Sequence, residues 1–256
     1  MIITRLEPAG AIAIAALWVC CRVPWRPIVA GAPIAATAVA LDEGTVVTRR
    51  HLSRGYPARE SDGSVNAVVE IPSGTIAKFE VDDEDGALHW ARRREDGALR
   101  EIDYLPYPVN YGMVPRTLAA DGDALDILVL GRGLERAAVV RTRVIGVLEM
   151  AHDGTRDDKL IAVPVDAELR NGFSRLVDLH ELDTYYPASR EILVLWFANY
   201  WGAGATEVVG WGDAAEANAI LDGALLPEHG DHGGVVAATR LTRSSSSSSV
   251  AMPRAR

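Results

Sequence analysis

Asp121-Gly122-Asp123-Ala124-Leu125-Asp126 places three carboxylates within six residues. Such groups repel one another, and a fold keeps them together where cations or water relieve the repulsion. A solvated acidic turn is the ordinary reading of a lone Asp-Gly-Asp. Here the run leads straight into the apolar segment Ile127 to Leu130, which pins the turn against a core. It is not a calcium loop of the EF-hand type, because the glycine stands second rather than sixth and Arg132 occupies the place of the closing Glu. Hard oxygen ligands without a His or Cys cluster favour Mg²⁺, with Mn²⁺ as the alternative, over zinc. A second charged group, Asp153, Asp157, Asp158 and Lys159, stands immediately before another apolar run.

Cations and phenols lie upstream. Lys78 and Glu80 share one face of an alternating segment, Arg92, Arg93 and Arg94 follow, and Tyr107-Pro108-Val109-Asn110-Tyr111-Gly112 presents two phenols on a rigid loop. Each has an ordinary reading alone: a strand-edge lysine, a solvated arginine loop, packing tyrosines. Together they describe a site for a multiply charged phosphate, in which carboxylates hold divalent metals while Lys, Arg and Tyr grip phosphoryl oxygens. The chain has no GxxxxGK[ST] loop and no GxSxG elbow. That argues against a P-loop nucleotide triphosphatase and against a covalent serine nucleophile.

The elements that must position these groups are mostly short strands. Val65 to Ile71 alternates and ends at the turn Pro72-Ser73-Gly74. Ala77 to Val81, Leu88 to Arg92, Ile127 to Leu130, Val139 to Met150 and Leu160 to Pro164 continue the series, which predicts a small closed or partly closed barrel. Helices are expected afterwards. Ser189 to Trp201 carries an apolar face of Ile192, Leu195, Trp196 and Ala198. Asp213 and Glu216 form a capping box before Ala214 to Leu226, whose stripe is Ala217, Ile220, Leu221 and Leu225, and Pro227 stops it. Strands first and helices last predict an α+β fold, mainly β. No internal repeat is read in this region.

The whole chain has 256 residues, a formal net charge of −9, 48% hydrophobic and 24% charged residues, the balance of a globular protein. A net negative chain with 6% aromatics lacks the basic groove and stacking platforms of a nucleic-acid binder. Cys20 and Cys21 are neighbours, which are badly placed to bridge each other, so no disulfide framework is expected. Residues 1–49 read as an extension outside the fold or as an export signal. In the second reading Pro24 to Pro27 is a basic region, Ile28 to Thr37 an apolar one and Ala38-Val39-Ala40 a cleavage site. The apolar run Ala9 to Cys21 is too short to span a bilayer as a helix. Residues 50–227 are expected to form the domain and 228–256, with a serine run from Ser244 to Ser249, a disordered tail in which His229 and His232 are free to bind stray metal.

These residues resemble the soluble family I inorganic pyrophosphatases. The matching segments are VVEIPSGTIAKFEVD from Val68, YPVNYGMVPRTL from Tyr107, DGDALDILVL from Asp121, IGVLEM from Ile145 and DDKLIAVP from Asp157, with a weaker match from Phe197 to Trp211. The resemblance implies a five-stranded OB-type barrel with helices packed outside, and Mg²⁺-dependent hydrolysis of pyrophosphate. It implies Asp121, Asp126 and Asp157 as ligands of the principal metal, Asp126 also touching a second one, and Asp123 as general base. Glu70 and Glu80 are implied as outer carboxylates serving further metals through water. Lys78, Arg92, Tyr111, Lys159 and Tyr200 are implied to contact the phosphates, with Tyr107 lining the site. Three departures stand out. His152 replaces a metal-binding aspartate, so that Asp153 or neutral His152 would serve that metal. Trp201 replaces a lysine. The arginine before the acidic turn lies in a run, so Arg93 or Arg94 could take the role given to Arg92. The resemblance also implies a homo-oligomer, a hexamer in many bacterial members, and a cytoplasmic place, with the periplasm as the alternative. A catalytically weakened phosphate-binding protein on the same barrel is the competing function.

Overall fold

The computed structural model describes residues 39–227 except residue 203. The apolar run Ala9 to Cys21, the segment Ile28 to Thr37, and the serine-rich tail with His229 and His232 lie outside the described residues. In chain order the strands are β1 (Val39–Asp42), β2 (Thr45–Val47), β3 (Val65–Ile71), β4 (Phe79–Val81), β5 (Leu88–Trp90), β6 (Asn110–Met113), β7 (Asp126–Val129), β8 (Val139–His152), β9 (Thr155–Arg156), β10 (Lys159–Pro164) and β11 (Thr206–Gly212). The α-helices are α1 (Leu179–Tyr185), α2 (Ser189–Asn199) and α3 (Ala214–Ala224).

Five strands close on themselves. The order runs β10-β7-β6-β3-β8, and β8 pairs back with β10, so the ring has no free edge. Its pairs are antiparallel except β7 with β10, which run parallel. β11 and β9 attach to the far half of the long β8. Apolar residues alternate between the two faces of these strands. Ile127, Val129, Leu160 and Ala162 join a core with Ala217 and Leu221 of α3, while Leu128, Ile161 and Val163 join another with Leu182 of α1 and Leu193, Trp196 and Phe197 of α2. A second sheet, β1-β2-β5-β4, packs its Leu88 and Phe79 against Val68 and Met113. That cover is why β3 is buried on both faces and why polar Asn66 and Glu70, at alternating positions, are buried too.

β6 depends on one glycine. The sequence placed Tyr111 on a loop, whereas Asn110–Met113 pairs with both β3 and β7. A Cβ at Gly112 would stand 1.8 Å from the Val68 carbonyl oxygen, so only glycine lets the two strands approach. Gly112→Ala is therefore expected to destabilise the protein by about 3 kcal/mol, the upper part of the usual overpacking range. An unchanged urea midpoint would contradict this.

Several expectations need correction. β1 and β2 lie N-terminal of Arg50, where the fold was expected to begin, and pair into the second sheet through β5. Strands do not all precede helices, because β11 separates α2 from α3. α2 buries Leu193, Trp196 and Phe197 and leaves Ile192 and Leu195 exposed, the reverse of the expected face for the latter pair. Its sequence is apolar nearly all round, so periodicity alone could not orient it. A short repeat is also present after all, since Glu84-Asp85-Gly86-Ala87-Leu88 recurs as Glu95-Asp96-Gly97-Ala98-Leu99. Both copies make the same turn. Gly86 and Gly97 have φ of +69° and +72°, and Asp85 and Asp96 each accept the backbone N–H two residues on. The Asp213–Glu216 capping box of α3 is present as expected. Among the described residues no helix is long and apolar enough to cross a membrane.

Candidate active site

The functional side chains gather where β7 and β10 begin. The parallel register sets Lys159 beside Asp126, and antiparallel pairing sets Met113 opposite Asp126. Asp126 Oδ2 accepts the Tyr111 hydroxyl at 2.7 Å and the Lys159 ammonium at 2.6 Å. Lys159 also reaches Asp157 Oδ1 at 2.8 Å, so one ammonium spans two carboxylates. The acidic turn preceding β7 is closed by Gly122 at φ +94° and by the Asp123 N–H, which donates to Asp121. Leu125 N–H donates to Thr117 Oγ1 and anchors the turn to the core.

A cavity of about 1340 Å³ opens over this wall. Asp121, Asp123, Asp126, Asp157, Glu70, Glu80, Tyr111, Lys78, Arg92, His152, Asp153 and Tyr200 all line it, so most of the residues named from the sequence share one cleft. Its lining holds eleven carboxylates against five Lys and Arg side chains, an imbalance that makes added cations a precondition for an anionic ligand. The electrostatics follow from crowding. Burial pushes the Asp123 carboxyl up, and Asp121, Asp126 and Glu80 add to the rise. Burial likewise raises Asp157, with Lys159 opposing and Asp126 reinforcing. Burial works against the charge on Lys159, yet Asp126 and Asp157 outweigh it and leave the ammonium well above its ordinary value. Lys78 follows the same pattern through Glu80, which it meets at 2.9 Å.

The carboxylates fit a divalent cation chemically. Asp121, Asp126 and Asp157 supply hard oxygens on one wall, and mutual repulsion makes relief by a cation favourable. Among the described residues, no three His, Cys, Asp or Glu side chains stand close enough to enclose an ion as they are arranged. Lys159 holds the space between Asp126 and Asp157 instead.

The family model for inorganic pyrophosphatase matches residues 67–226. The chain belongs to that family. An inorganic pyrophosphatase of Gluconobacter oxydans is 33% identical over 184 residues, which cover 68% of this chain and 96% of that protein. The structure of an inorganic pyrophosphatase from Coxiella burnetii superposes with a TM-score of 0.58 at 27% identity, covering 66% of this chain and 98% of that one. One from Helicobacter pylori does so with a TM-score of 0.57 at 30% identity, covering 66% and 96%. The closed ring of five strands with outside helices is thus the OB-type barrel of the inorganic pyrophosphatases.

Within this inorganic pyrophosphatase fold, three expected site residues sit differently. Tyr107 does not line the cleft. It is 1% exposed and lies one layer back, its ring 5.4 Å from Tyr111 and 4.4 Å from Trp196, because Gly74 and Thr75 hold its backbone in the loop before β6. Lys159 is buried beneath the wall and does not face the open cleft. Arg92 is at the cleft mouth but donates to the Gly97 carbonyl at 2.9 Å, tying its guanidinium to its own hairpin. Arg100, which no sequence motif marks, lines the cleft from the returning arm of that hairpin. Its place follows from the hairpin pairing of Ala91 and Arg100.

Glu70 carries a pH signature. Burial raises its pKa to about 8, while the Val81 N–H lowers it and Asp126 raises it. A carboxyl whose folded pKa exceeds its unfolded one costs nothing at low pH and destabilises progressively as pH rises from the unfolded value through about 8. Glu70→Gln keeps an acceptor for Val81 and removes the charge. In chelator it is expected to stabilise the protein by roughly 2–4 kcal/mol at pH 9 and by almost nothing near pH 4, read from melts at both pH values. Equal shifts at the two pH values would refute this.

Proposed function

We infer that this chain hydrolyses inorganic pyrophosphate to two orthophosphates in a Mg²⁺-dependent reaction. The observation that carries the reading is the arrangement around Asp126, where Asp121, Asp123 and Asp157 share a wall with a phenol and an ammonium directed at one carboxylate. Asp121, Asp126 and Asp157 would hold the principal metal. A bound divalent ion there supplies acidity to a water and neutralises charge on phosphoryl oxygens. Asp123 accepts the proton of the attacking water, and its raised pKa brings its basicity closer to neutral pH, which favours a general base. Lys78 and Tyr200 flank the cleft within reach of the phosphates, with Tyr111 and Lys159 orienting Asp126. Glu70, Glu80 and Asp153 are the outer carboxylates of the same cleft.

A phosphate-release assay tests this directly. Pyrophosphate is expected to be cleaved with Mg²⁺ present and not after chelation, with ATP a poor substrate. Binding of pyrophosphate without release, or equal turnover of ATP, would overturn the assignment. We place the working unit at Val39–Pro227. Outward-facing Ile192, Leu195 and Val209 support a homo-oligomer, which sedimentation will count. A cytoplasmic place follows from the family resemblance, and the intact mass of protein recovered from cells distinguishes it from cleavage at Ala38-Val39-Ala40.

A further inference from the structure

The cations of the cleft are mostly committed. Lys78 pairs with Glu80 at 2.9 Å and Arg93 with Asp96 at 3.1 Å, while Lys159, behind the wall, pairs with Asp126 and Asp157. Arg92 is bound to the Gly97 carbonyl. Arg100 differs. Its residue is half-buried, and among the described residues no carboxylate or carbonyl receives its guanidinium. It packs on an aromatic face, since its Cζ lies 4.0 Å from the centre of the Trp201 ring.

The backbone of Arg100 is held on three sides. Its N–H donates to the Ala91 carbonyl at 2.8 Å, and its carbonyl accepts the Lys78 N–H at 3.0 Å and the Trp90 indole N–H at 2.9 Å. Trp201 is held in turn. The His152 ring stacks on it with centroids 5.2 Å apart and planes 25° from parallel. His152 ends β8 opposite Thr206 of β11, whose hydroxyl stands 3.5 Å from Nδ1. Three side chains from three separate elements thus form one stack. The two aromatic residues that depart from the family pattern touch each other and place this arginine.

A guanidinium taken partly out of water without an anion is costly, and an aromatic face offsets only part of that cost. The arrangement makes sense where the anion arrives with the ligand. The planar fork of Arg matches two phosphoryl oxygens at once, which a lysine ammonium cannot do. We propose that Arg100 is the phosphoryl-binding arginine of this cleft, with Trp201 and His152 as its positioning residues. The turn at Gly97 occupies the Arg92 guanidinium with its own carbonyl and is followed by Arg100 on the cleft lining, where the stack supplies the orientation. This rests on the pyrophosphatase reading for the identity of the anion.

Calorimetric titration with imidodiphosphate, a non-hydrolysable pyrophosphate analogue, in the presence of Mg²⁺ measures binding apart from turnover. Arg100→Gln should weaken binding by about 10- to 100-fold, the loss expected for hydrogen bonds to a charged group, and raise KM by more than it lowers kcat. Arg100→Lys keeps the charge without the fork and should fall between, which also serves if the Gln variant folds poorly. Trp201→Leu should weaken binding through lost orientation, and Trp201→Phe, which keeps an aromatic face, should restore most of it. Binding by Arg100→Gln within about twofold of wild type would overturn the proposal, and so would a larger loss in Arg92→Gln than in Arg100→Gln. If wild type releases no phosphate yet Arg100→Gln still weakens analogue binding, the hydrolase reading falls and this assignment stands.

Discussion

Asp123→Asn is expected to cut the rate of phosphate release by about 10²–10⁴, the contribution typical of a positioned general base. The substitution is nearly isosteric, so the acidic turn keeps its hydrogen bond from the Asp123 N–H to Asp121 and the Ala119 N–H to the Asp123 carbonyl. Neither bond uses the Asp123 side chain, which lines the cleft. Asn cannot accept a proton at neutral pH, so the loss should fall on kcat while Mg²⁺ and analogue binding change little. Removing one carboxylate from a crowded wall should also make the metal-free fold slightly more stable, because burial and three neighbouring acids already push Asp123 toward its neutral form. Undiminished phosphate release by the variant would sink the assignment. A large loss of metal affinity with kcat preserved at saturating Mg²⁺ would instead make Asp123 a ligand.

Much of this site is legible in the sequence. The bounds of β3 were read from alternation alone, and the capping box of α3 from Asp213 and Glu216. Those features are local, and their signal lies within a few residues. The acidic turn was legible for a related reason: carboxylate crowding next to an apolar strand needs an external cause. What stayed hidden was contact between distant elements. Nothing near His152 announces that its ring meets Trp201, since the pairing of β8 with β11 and the end of α2 must first bring them together. Tyr107 and Tyr111 are alike in sequence, yet one is buried behind the other. Arg92 and Arg100 are separated only by tertiary contacts, the Gly97 carbonyl for one and the Trp201 ring for the other.

Lys159→Met tests whether the ammonium found between Asp126 and Asp157 is structural, catalytic or both. The lysine side chain is 2% exposed, whereas the two carboxylates are 16% and 19% exposed, so removal of the cation leaves repelling acids with limited access to water. Breaking a buried charge pair typically costs about 3–5 kcal/mol, and the partial exposure of these acids places the expected loss near 3 kcal/mol in chelator. Divalent metal should return much of that stability, because an ion bound by the folded state alone shifts the equilibrium toward it and no longer competes with an ammonium for the same oxygens. Turnover should not return with it. The Tyr111 hydroxyl still reaches Asp126, but the cation that orients this carboxylate and Asp157 is gone, and about 10- to 100-fold in rate is expected to go with it. The metal-dependent rise in melting temperature should thus exceed that of wild type while activity remains low. Equal stability of variant and wild type in chelator would show that Lys159 does not hold the two carboxylates together. Recovery of full activity with metal would confine its role to the fold.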